Sequence, residues 1–234
     1  MPKPLDKLIS LTVLLGAAAA LVMGFSRAPA PDMSTPAPAT DTPASESVVD
    51  GYSDIVLGDP DAPITVIEYA SMTCAHCAAF HEDVFHDFKK NYIDTGRAKF
   101  IMRHFVLNGP DLAASMVARC VDSNRYYAFI DLFLGRQAAW ITPWQNVRPA
   151  EDSTLADLAE MAEMDIFLRP TGVSTARMRA CLESKKLQDD LLRQRAEGQK
   201  QYDIKGTPTI IINGKVYTGE HTYEAFEAAL KKVE

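Results

Sequence analysis

Two cysteines, Cys74 and Cys77, are separated by two residues at a point where the sequence pattern changes from strand to helix. Residues 64–69 are rich in β-branched and aromatic types and follow a proline, which predicts a strand. Apolar side chains then recur with helical spacing, at Phe80, Val84, Phe88 and Tyr92. The two thiols are therefore predicted to lie at the start of a helix that leaves the end of a strand.

This position favours an ionised thiol at Cys74. The unpaired N–H groups and the dipole of a helix N-terminus stabilise negative charge, so a thiol there has a lower pKa than the ordinary value of about 8.5. A thiolate attacks disulfides and is also the better leaving group, and a second thiol in the same turn can close a bridge to it. We expect Cys74 to be reactive and exposed and Cys77 to be the buried, resolving partner. His76, between them, can stabilise a neighbouring thiolate.

The rest of the chain predicts an α/β protein with a long helical block. Residues 97–105 read as a second strand, so the strand, helix, strand order implies a parallel pair with a right-handed crossover. Residues 55–57 suit a short edge strand. The pattern at 209–217 predicts two strands joined by an Asn-Gly turn. Helices are predicted near 112–120, 123–135, 154–163, 174–200 and 220–233.

The first 27 residues carry an export signal. Lys3 and Lys7 precede an uncharged apolar run at 8–25, which suits either a cleaved secretory signal or a short membrane anchor. Both alternatives deliver the rest of the chain to an oxidising compartment outside the cytoplasm. Residues 28–50 are rich in proline and alanine, so we expect an extended linker there.

Two closely spaced cysteines also occur in haem-attachment and metal sites, and the surrounding residues bear on each alternative. Haem attachment would need a histidine directly after Cys77, and that position is Ala78. A four-cysteine zinc site would need a second close pair, whereas the other two cysteines are far apart. A metal-binding module that uses Cys74, Cys77 and His81 fits the spacing and stays an alternative. The net charge of −7 argues against general nucleic-acid binding.

At three places the sequence resembles the DsbA-like branch of the thioredoxin superfamily. The pieces are GDPDAPITVIEY at 58–69, CAHC at 74–77 and GTPTIIING at 206–214, in the order and spacing typical of that family. The resemblance covers about 52–234 and implies an α/β thioredoxin fold, βαβ…ββα, with an inserted helical lobe. The predicted segments are a thioredoxin-like domain at 51–107 and 184–234 and a helical insertion at 108–183.

The resemblance implies a cis proline at Pro208, beside the redox pair and preceded by Thr207. The cis isomer of a peptide bond before proline costs little free energy, and proline has no N–H. This loop can therefore face a sulfur site while the Thr207 backbone pairs with an extended substrate. The sequence spacing by itself is equally consistent with a trans Pro208 that begins the strand at Thr209. Glu68 matches an acidic residue that the family places beneath the cysteines, where it could accept a proton or tune the thiols. Strand alternation favours burial of Glu68 over a solvated position.

Cys120 and Cys181 fall on apolar helical faces of the insertion. Free buried cysteines are common, but two in one lobe of an exported protein favour a structural disulfide, and a second bridge resembles one subset of bacterial DsbA-like proteins. Trp140 and Trp144 suit core packing, with a substrate surface as the alternative. Ordinary structural roles are expected for the histidines His81, His86 and His104.

These observations predict a thiol-disulfide oxidoreductase that introduces disulfides into exported proteins through Cys74 and Cys77. The resemblance implies a periplasmic enzyme that acts on reduced or misoxidised polypeptides and is re-oxidised by a quinone-linked membrane partner. No cofactor or metal is required, and a monomer is expected. A disulfide isomerase or reductase of the same fold is the main alternative. The family often has Pro-His between the cysteines, and Ala75 in place of that proline leaves the oxidising strength open.

Overall fold

The structure is a computed structural model, and it describes residues 52–234. These residues all belong to one compact unit. The predicted signal or anchor at 1–27 and the linker at 28–50 lie outside the described residues. Within 52–234, the helices are too short or too polar to span a bilayer.

A mixed sheet carries the residues that precede and follow the two thiols. Its strands are β1 Val56–Leu57, β2 Ile64–Ala70, β3 Ala98–His104, β4 Thr209–Ile212 and β5 Lys215–Val216. They lie in the order β1-β3-β2-β4-β5, with β2 and β3 parallel and the other neighbours antiparallel. The predicted parallel pair, edge strand and hairpin are confirmed. Asn213 and Gly214 have φ of 46° and 80°, as a tight two-residue hairpin turn requires.

Helices form the long connection between β3 and β4 and also follow β2 and β5. Their bounds are α1 75–93, α2 Gly109–Cys120, α3 Tyr126–Gly135, α4 Gln137–Ile141, α5 Leu155–Met161, α6 Met164–Leu168, α7 Thr175–Leu182, α8 Lys185–Tyr202 and α9 Tyr223–Leu230. Short 3₁₀ turns lie at Ser123–Arg125, Thr142–Asn146 and Arg169–Thr171. The predicted βαβ, helical block, ββα order is thus confirmed.

Two predicted helices have different bounds in the structure. The helix predicted at 174–200 is divided, because Ser184 breaks it and its side chain accepts a hydrogen bond from Leu187 N at 3.3 Å, which caps α8. The closing helix predicted at 220–233 is shorter, since Thr222 caps it by accepting from Ala225 N at 3.3 Å.

Helix α1 contains two π-helical segments, His81–Phe85 and Lys89–Ile93, with α-helical turns between and before them. Its core-facing residues are spaced by four, and a spacing of four drifts by about 40° per step around a regular α-helix. The wider π turns offset this drift, so all of these residues are buried, namely Phe80, Val84, Phe88 and Tyr92.

One hydrophobic core runs from the sheet into the helical block. It includes Val66 and Phe100 of the sheet, Phe226 of α9, and Met116 and Phe133 of the block. A second, smaller cluster lies apart from it. It contains residues of β2, of β3 and the position after it, of β4 and of the segment after α8, namely Ile67, Tyr69, Ile101, Phe105, Ile204 and Ile211. The predicted limits of the helical insertion, 108–183, stay a prediction.

Candidate active site

The two thiols differ sharply in exposure. Cys74 is the N-cap residue of α1, with extended backbone at φ −82° and ψ 118°, and it is half-buried. Cys77 lies within the first turn and is fully buried. Its N–H donates to the Cys74 carbonyl at 3.1 Å, and Ala78 N donates to the same carbonyl at 3.1 Å, which is the first i to i−4 bond of the helix. Both thiols are free in the structure, so the reduced form of the pair is described.

The surroundings of Cys74 favour its thiolate. The pKa of Cys74 falls to about 5, chiefly because the Cys77 thiol hydrogen-bonds to its sulfur, while burial acts in the opposite direction. The Thr207 side chain and the backbone N–H groups of Cys77 and His76 lower the pKa further. When protonated, the Cys74 thiol donates to the Thr207 carbonyl at 3.3 Å, whereas the Thr207 hydroxyl has no partner and can serve the ionised sulfur.

Burial has the opposite effect on Cys77 and Glu68. It raises the pKa of Cys77 far above its ordinary value, and the hydrogen bond to Cys74 and the Glu68 charge act in the same direction. Glu68, on β2, is 2% exposed, and burial with the nearby Cys74 charge raises its pKa to about 8. One of its carboxyl oxygens, Oε1, has no hydrogen-bond partner. Glu68 is therefore a protonated acid at neutral pH.

The segment before β4 lies against the reactive sulfur. The Thr207–Pro208 bond is cis, which is the isomer that the resemblance implied. A groove of about 460 Å³ runs beside this loop and is lined by His76, Lys205, Thr207, Pro208 and His221, among others. The structure thus brings the cis proline loop and His76 together beside Cys74, whose Sγ lies 3.3 Å from the Thr207 carbonyl.

Two polar residues of the helical block hold the loop that carries Cys74, and sequence reasoning missed both. Asp111 accepts from Met72 N at 2.8 Å and from Leu107 N at 2.8 Å. Gln137 donates through Nε2 to the carbonyls of Met72 at 2.8 Å and Cys74 at 3.0 Å. Nothing in the sequence indicated which distant loop these side chains would reach.

Cys120 and Cys181 form a disulfide between α2 and α7, with their Cα atoms 5.7 Å apart. The bridge lies in the helical block and closes a loop of 61 residues. Of the two forms left open by the sequence, free and bridged, the structure has the bridged one. The four cysteines are thus divided into a free pair at α1 and a bonded pair in the block.

The two tryptophans and His104 have structural contacts. Trp140 is fully buried and donates to the Phe133 carbonyl at 2.9 Å, whereas Trp144 is half-buried. His104 ends β3 in the core, where Nε2 lies 3.0 Å from the Tyr126 hydroxyl and burial lowers the pKa to about 3. Core packing, rather than a substrate surface, is therefore confirmed for Trp140.

The metal alternative can be examined at the same site. His81 is buried, and its Nε2 lies 3.0 Å from the Asp131 carboxylate, although not in hydrogen-bonding geometry. Across residues 52–234, no three His, Cys, Asp or Glu side chains are grouped in a way that could hold a metal ion. His81 is therefore not assembled with Cys74 and Cys77 into a set of ligands.

The sheet order and the paired thiols at the start of α1 define a thioredoxin-fold protein with a dithiol site. The chain belongs to the thioredoxin family, whose family model matches residues 51–232. Two solved structures are similar over most of their length. A protein-disulfide isomerase from Novosphingobium aromaticivorans is 25% identical with a TM-score of 0.71, over 77% of this chain and 97% of that one. The alpha-DsbA1 protein of Wolbachia pipientis is 27% identical with a TM-score of 0.63, over 79% of this chain and 92% of that one.

Sequence relatives point to the same group. A provisionally named protein-disulfide oxidoreductase of Rickettsia bellii is 32% identical over 181 residues, which are 77% of this chain. The match spans 64% of that relative, less than two thirds of its length. The predicted resemblance to DsbA-like thiol-disulfide oxidoreductases is confirmed.

Proposed function

We propose that this chain is a thiol-disulfide oxidoreductase that introduces disulfides into exported proteins outside the cytoplasm. One observation carries the proposal, namely the contrast between a half-buried Cys74 whose pKa is about 5 and a buried Cys77 whose pKa is raised. A sulfur that is stable as an anion is a good leaving group, so a disulfide that contains Cys74 is easily broken and the reduced pair is favoured. Such a pair accepts electrons from substrate thiols.

The reaction begins with the oxidised pair and a substrate thiolate. The thiolate attacks Cys74 Sγ, because Cys77 is buried, so a mixed disulfide forms and Cys77 leaves with the electron pair of the broken bond. Cys77 is the poorer anion, and the nearby Glu68 carboxyl, whose pKa is raised by burial, supplies its proton. A second substrate thiolate then attacks the substrate sulfur of the mixed disulfide, and Cys74 leaves as a stable thiolate. The substrate loses two electrons and the pair gains them.

The residues around the sulfurs have supporting roles in this scheme. His76 lies beside Cys74 and stabilises its thiolate by charge or hydrogen bonding. Thr207 offers its backbone to an extended substrate, and Pro208 brings that backbone to the sulfur without a competing N–H. The groove beside His76 and Pro208 has the size for a short peptide segment.

The chain's partners follow from the same proposal. Its substrates are reduced or misoxidised exported polypeptides, and a quinone-linked membrane protein re-oxidises the pair. Residues 8–25 direct the chain to the periplasm, as a cleaved signal or as an anchor. The folded part acts as a monomer, and the bridge between Cys120 and Cys181 is structural.

Disulfide isomerase activity is the second candidate. It is favoured by the similarity to the Novosphingobium aromaticivorans structure, which is described as a protein-disulfide isomerase. An isomerase works from the reduced pair and needs no external oxidant. Refolding of a scrambled disulfide substrate by the reduced protein, without oxidant, would support this candidate over the oxidase.

The test of the oxidase is the oxidation of a reduced peptide by the pre-oxidised protein, with Cys74→Ser, Cys77→Ser and Cys120→Ser variants. We expect Cys74→Ser and Cys77→Ser to abolish turnover and Cys120→Ser to keep it. Given a disulfide-bonded peptide instead, Cys77→Ser should trap a mixed disulfide at Cys74, because the Cys74 thiolate breaks the peptide disulfide and no Cys77 thiol is present to displace the peptide. Equal loss of activity in Cys74→Ser and Cys120→Ser would contradict the assignment, as would a Cys74 thiol that titrates near 9.

A further inference from the structure

We propose that Gln137, in the helical block, is a positioning residue that fixes the Cys74 loop in the conformation needed for reaction. The proposal rests on the proposed function, because it concerns the reactivity of the same sulfur. Gln137 is the first residue of α4 and is half-buried. It lies 63 residues from Cys74 in the sequence, so its contact with the loop depends on how the helical block packs on the sheet.

The loop between β2 and α1 is held by side chains of the helical block. The N–H of Met72 donates to Asp111 at 2.8 Å, and the Met72 carbonyl accepts from Gln137 at 2.8 Å. Gln137 also donates to the Cys74 carbonyl at 3.0 Å. Thr73 is held beside them by Asn108, whose Nδ2 donates to its hydroxyl at 2.9 Å. Both backbone groups of Met72 therefore depend on the block.

The chemistry of this contact requires an amide nitrogen. Both partners of Gln137 are backbone carbonyls, which can only accept hydrogen bonds, so the nitrogen and not the oxygen must face the loop. One NH₂ group satisfies two carbonyls. Glutamate in this position would present acceptors to acceptors and would add a negative charge near Cys74.

The consequence for Cys74 follows from the groups that stabilise its thiolate. Those groups include the backbone N–H groups of His76 and Cys77, which must point at the sulfur. The Cys74 carbonyl accepts from Gln137 and also from Cys77 N and Ala78 N at 3.1 Å, so it joins the loop to the first turn of α1. Without Gln137 the loop can rotate, and the sulfur then loses its alignment with these donors.

The experiment measures the rate of iodoacetamide reaction at Cys74 against pH in the reduced full chain, by mass spectrometry of the peptide that contains it. Gln137→Met keeps the side-chain length without donors, and Gln137→Glu adds acceptors and charge. Gln137→Lys restores donors. The matched controls are Gln145→Met and Gln145→Glu, because Gln145 is an exposed residue of the same block whose hydrogen bond to Arg148 uses its backbone carbonyl and not its side chain.

We expect Gln137→Met to raise the Cys74 pKa by about one unit, equivalent to one lost hydrogen bond, and Gln137→Glu to raise it further. Gln137→Lys should stay at or below the parent value, and both Gln145 variants should match the parent. Gln137→Met is the deciding variant, because it removes the donors without a change of charge, whereas the Glu and Lys variants also change the charge near the sulfur. Gln137 variants that lose melting temperature but keep the parent Cys74 pKa would overturn the proposal. The parent's own pKa tests the proposed function separately, because Gln137 is judged only by the difference from the parent.

Discussion

At the scale of single residues, burial gives three acidic groups different protonation states. Cys74 is half-buried and hydrogen-bonded, so it ionises readily, whereas Cys77 and Glu68 are buried and keep their protons. Electron transfer through the pair needs this division, because one sulfur must leave as an anion and the other must receive a proton.

Glu68 should make stability depend on pH. Burial raises its pKa from an ordinary 4.5 to about 8, so between these values the folded protein holds a proton that the unfolded chain has lost. Its contribution to the free energy of unfolding is fully present below pH 4.5 and is lost as the pH rises to about 8. Glu68→Gln should remove this decline. Urea unfolding at pH 5 and pH 8, in a Cys74→Ser, Cys77→Ser background, measures the part of the decline that burial causes, because this background lacks the Cys74 charge that also raises the Glu68 pKa.

The comparison between the parent and Glu68→Gln is needed because other groups titrate in the same range. Asp111 has a pKa raised by burial to about 6 and acts in the same direction. His104 has a pKa lowered by burial to about 3 and acts in the opposite direction. Both are common to parent and variant. Parallel pH curves for the two proteins would show that Glu68 is already ionised in the folded state.

The sequence was sufficient to predict some of these residues but not others. Cys74 and Cys77 followed from a local change of pattern, and Glu68 from strand alternation together with the family resemblance. Gln137 and Asp111 could not be predicted, since they bind Met72 from 65 and 39 residues away and no local pattern encodes such a contact. Polar side chains that satisfy a distant backbone depend on the final packing.

At the scale of elements, the disulfide between α2 and α7 should stabilise the helical block without affecting exchange at Cys74. It closes a loop of 61 residues, so the loss of chain entropy in the unfolded state is worth about 4 kcal/mol. Cys120→Ala with Cys181→Ala should lower the free energy of unfolding by about that amount in urea denaturation. Peptide oxidation at 25 °C should stay at the parent rate. A loss of activity that follows the loss of the bridge would place it in the redox mechanism.

The contact between α8 and β2 depends on Gly198. A Cβ atom there would lie 2.3 Å from Cε1 of the Tyr69 ring. The ring cannot easily move, because its hydroxyl accepts from Arg103 at 2.8 Å and the ring packs against Tyr202. Alanine favours helices, yet Gly198→Ala should destabilise the protein by about 1–3 kcal/mol through overpacking.

Gly135→Ala is the matched control for Gly198→Ala. Gly135 is the last residue of α3, and a Cβ there would have no atom within 4 Å. Its melting temperature should equal or slightly exceed that of the parent. A Gly198→Ala protein as stable as Gly135→Ala would contradict the close contact between Gly198 of α8 and the Tyr69 ring.

Secondary structure was predictable where it followed a local rule. The strand that precedes Cys74 came from its β-branched and aromatic content, the Asn213-Gly214 hairpin from turn chemistry, and α1 from its apolar spacing. The short helices α4 and α6 were missed, because five-residue helices carry too little periodicity to detect. The division of the 174–200 segment depended on Ser184 acting as a cap rather than as a helical residue.

At the scale of the whole molecule, the sheet and the helical block share one core. Phe100, Phe133 and Trp140 belong to the same buried cluster, although they come from the sheet and from two helices of the block. A shared core makes separate unfolding costly, because either part would expose the other's apolar surface. The overall order of elements was predictable, but this joint packing was not, since it depends on side chains that only the folded chain brings together.

We therefore expect a single unfolding transition for residues 52–234. Trp140 and Trp144 both lie in the helical block, so their fluorescence reports on the block, whereas far-UV circular dichroism reports on the whole fold. The two signals should give the same urea midpoint. A fluorescence transition that precedes the dichroism change would identify the block as an independent domain.

The wide turns of α1 have one more implication. Each π-helical segment holds an additional residue relative to a regular helix, and one residue corresponds to a rotation of about 100°. The π-helical segments thus separate the orientation of the two ends of α1, so the thiol-bearing end can be rotated about the helix axis independently of the far end. If a single residue were deleted from His81–Phe85, the far end of α1 would keep its packing in the core. Cys77 would then be rotated about the helix axis, away from Glu68. Local winding of the chain, as much as the choice of amino acid, decides which sulfur meets the solvent.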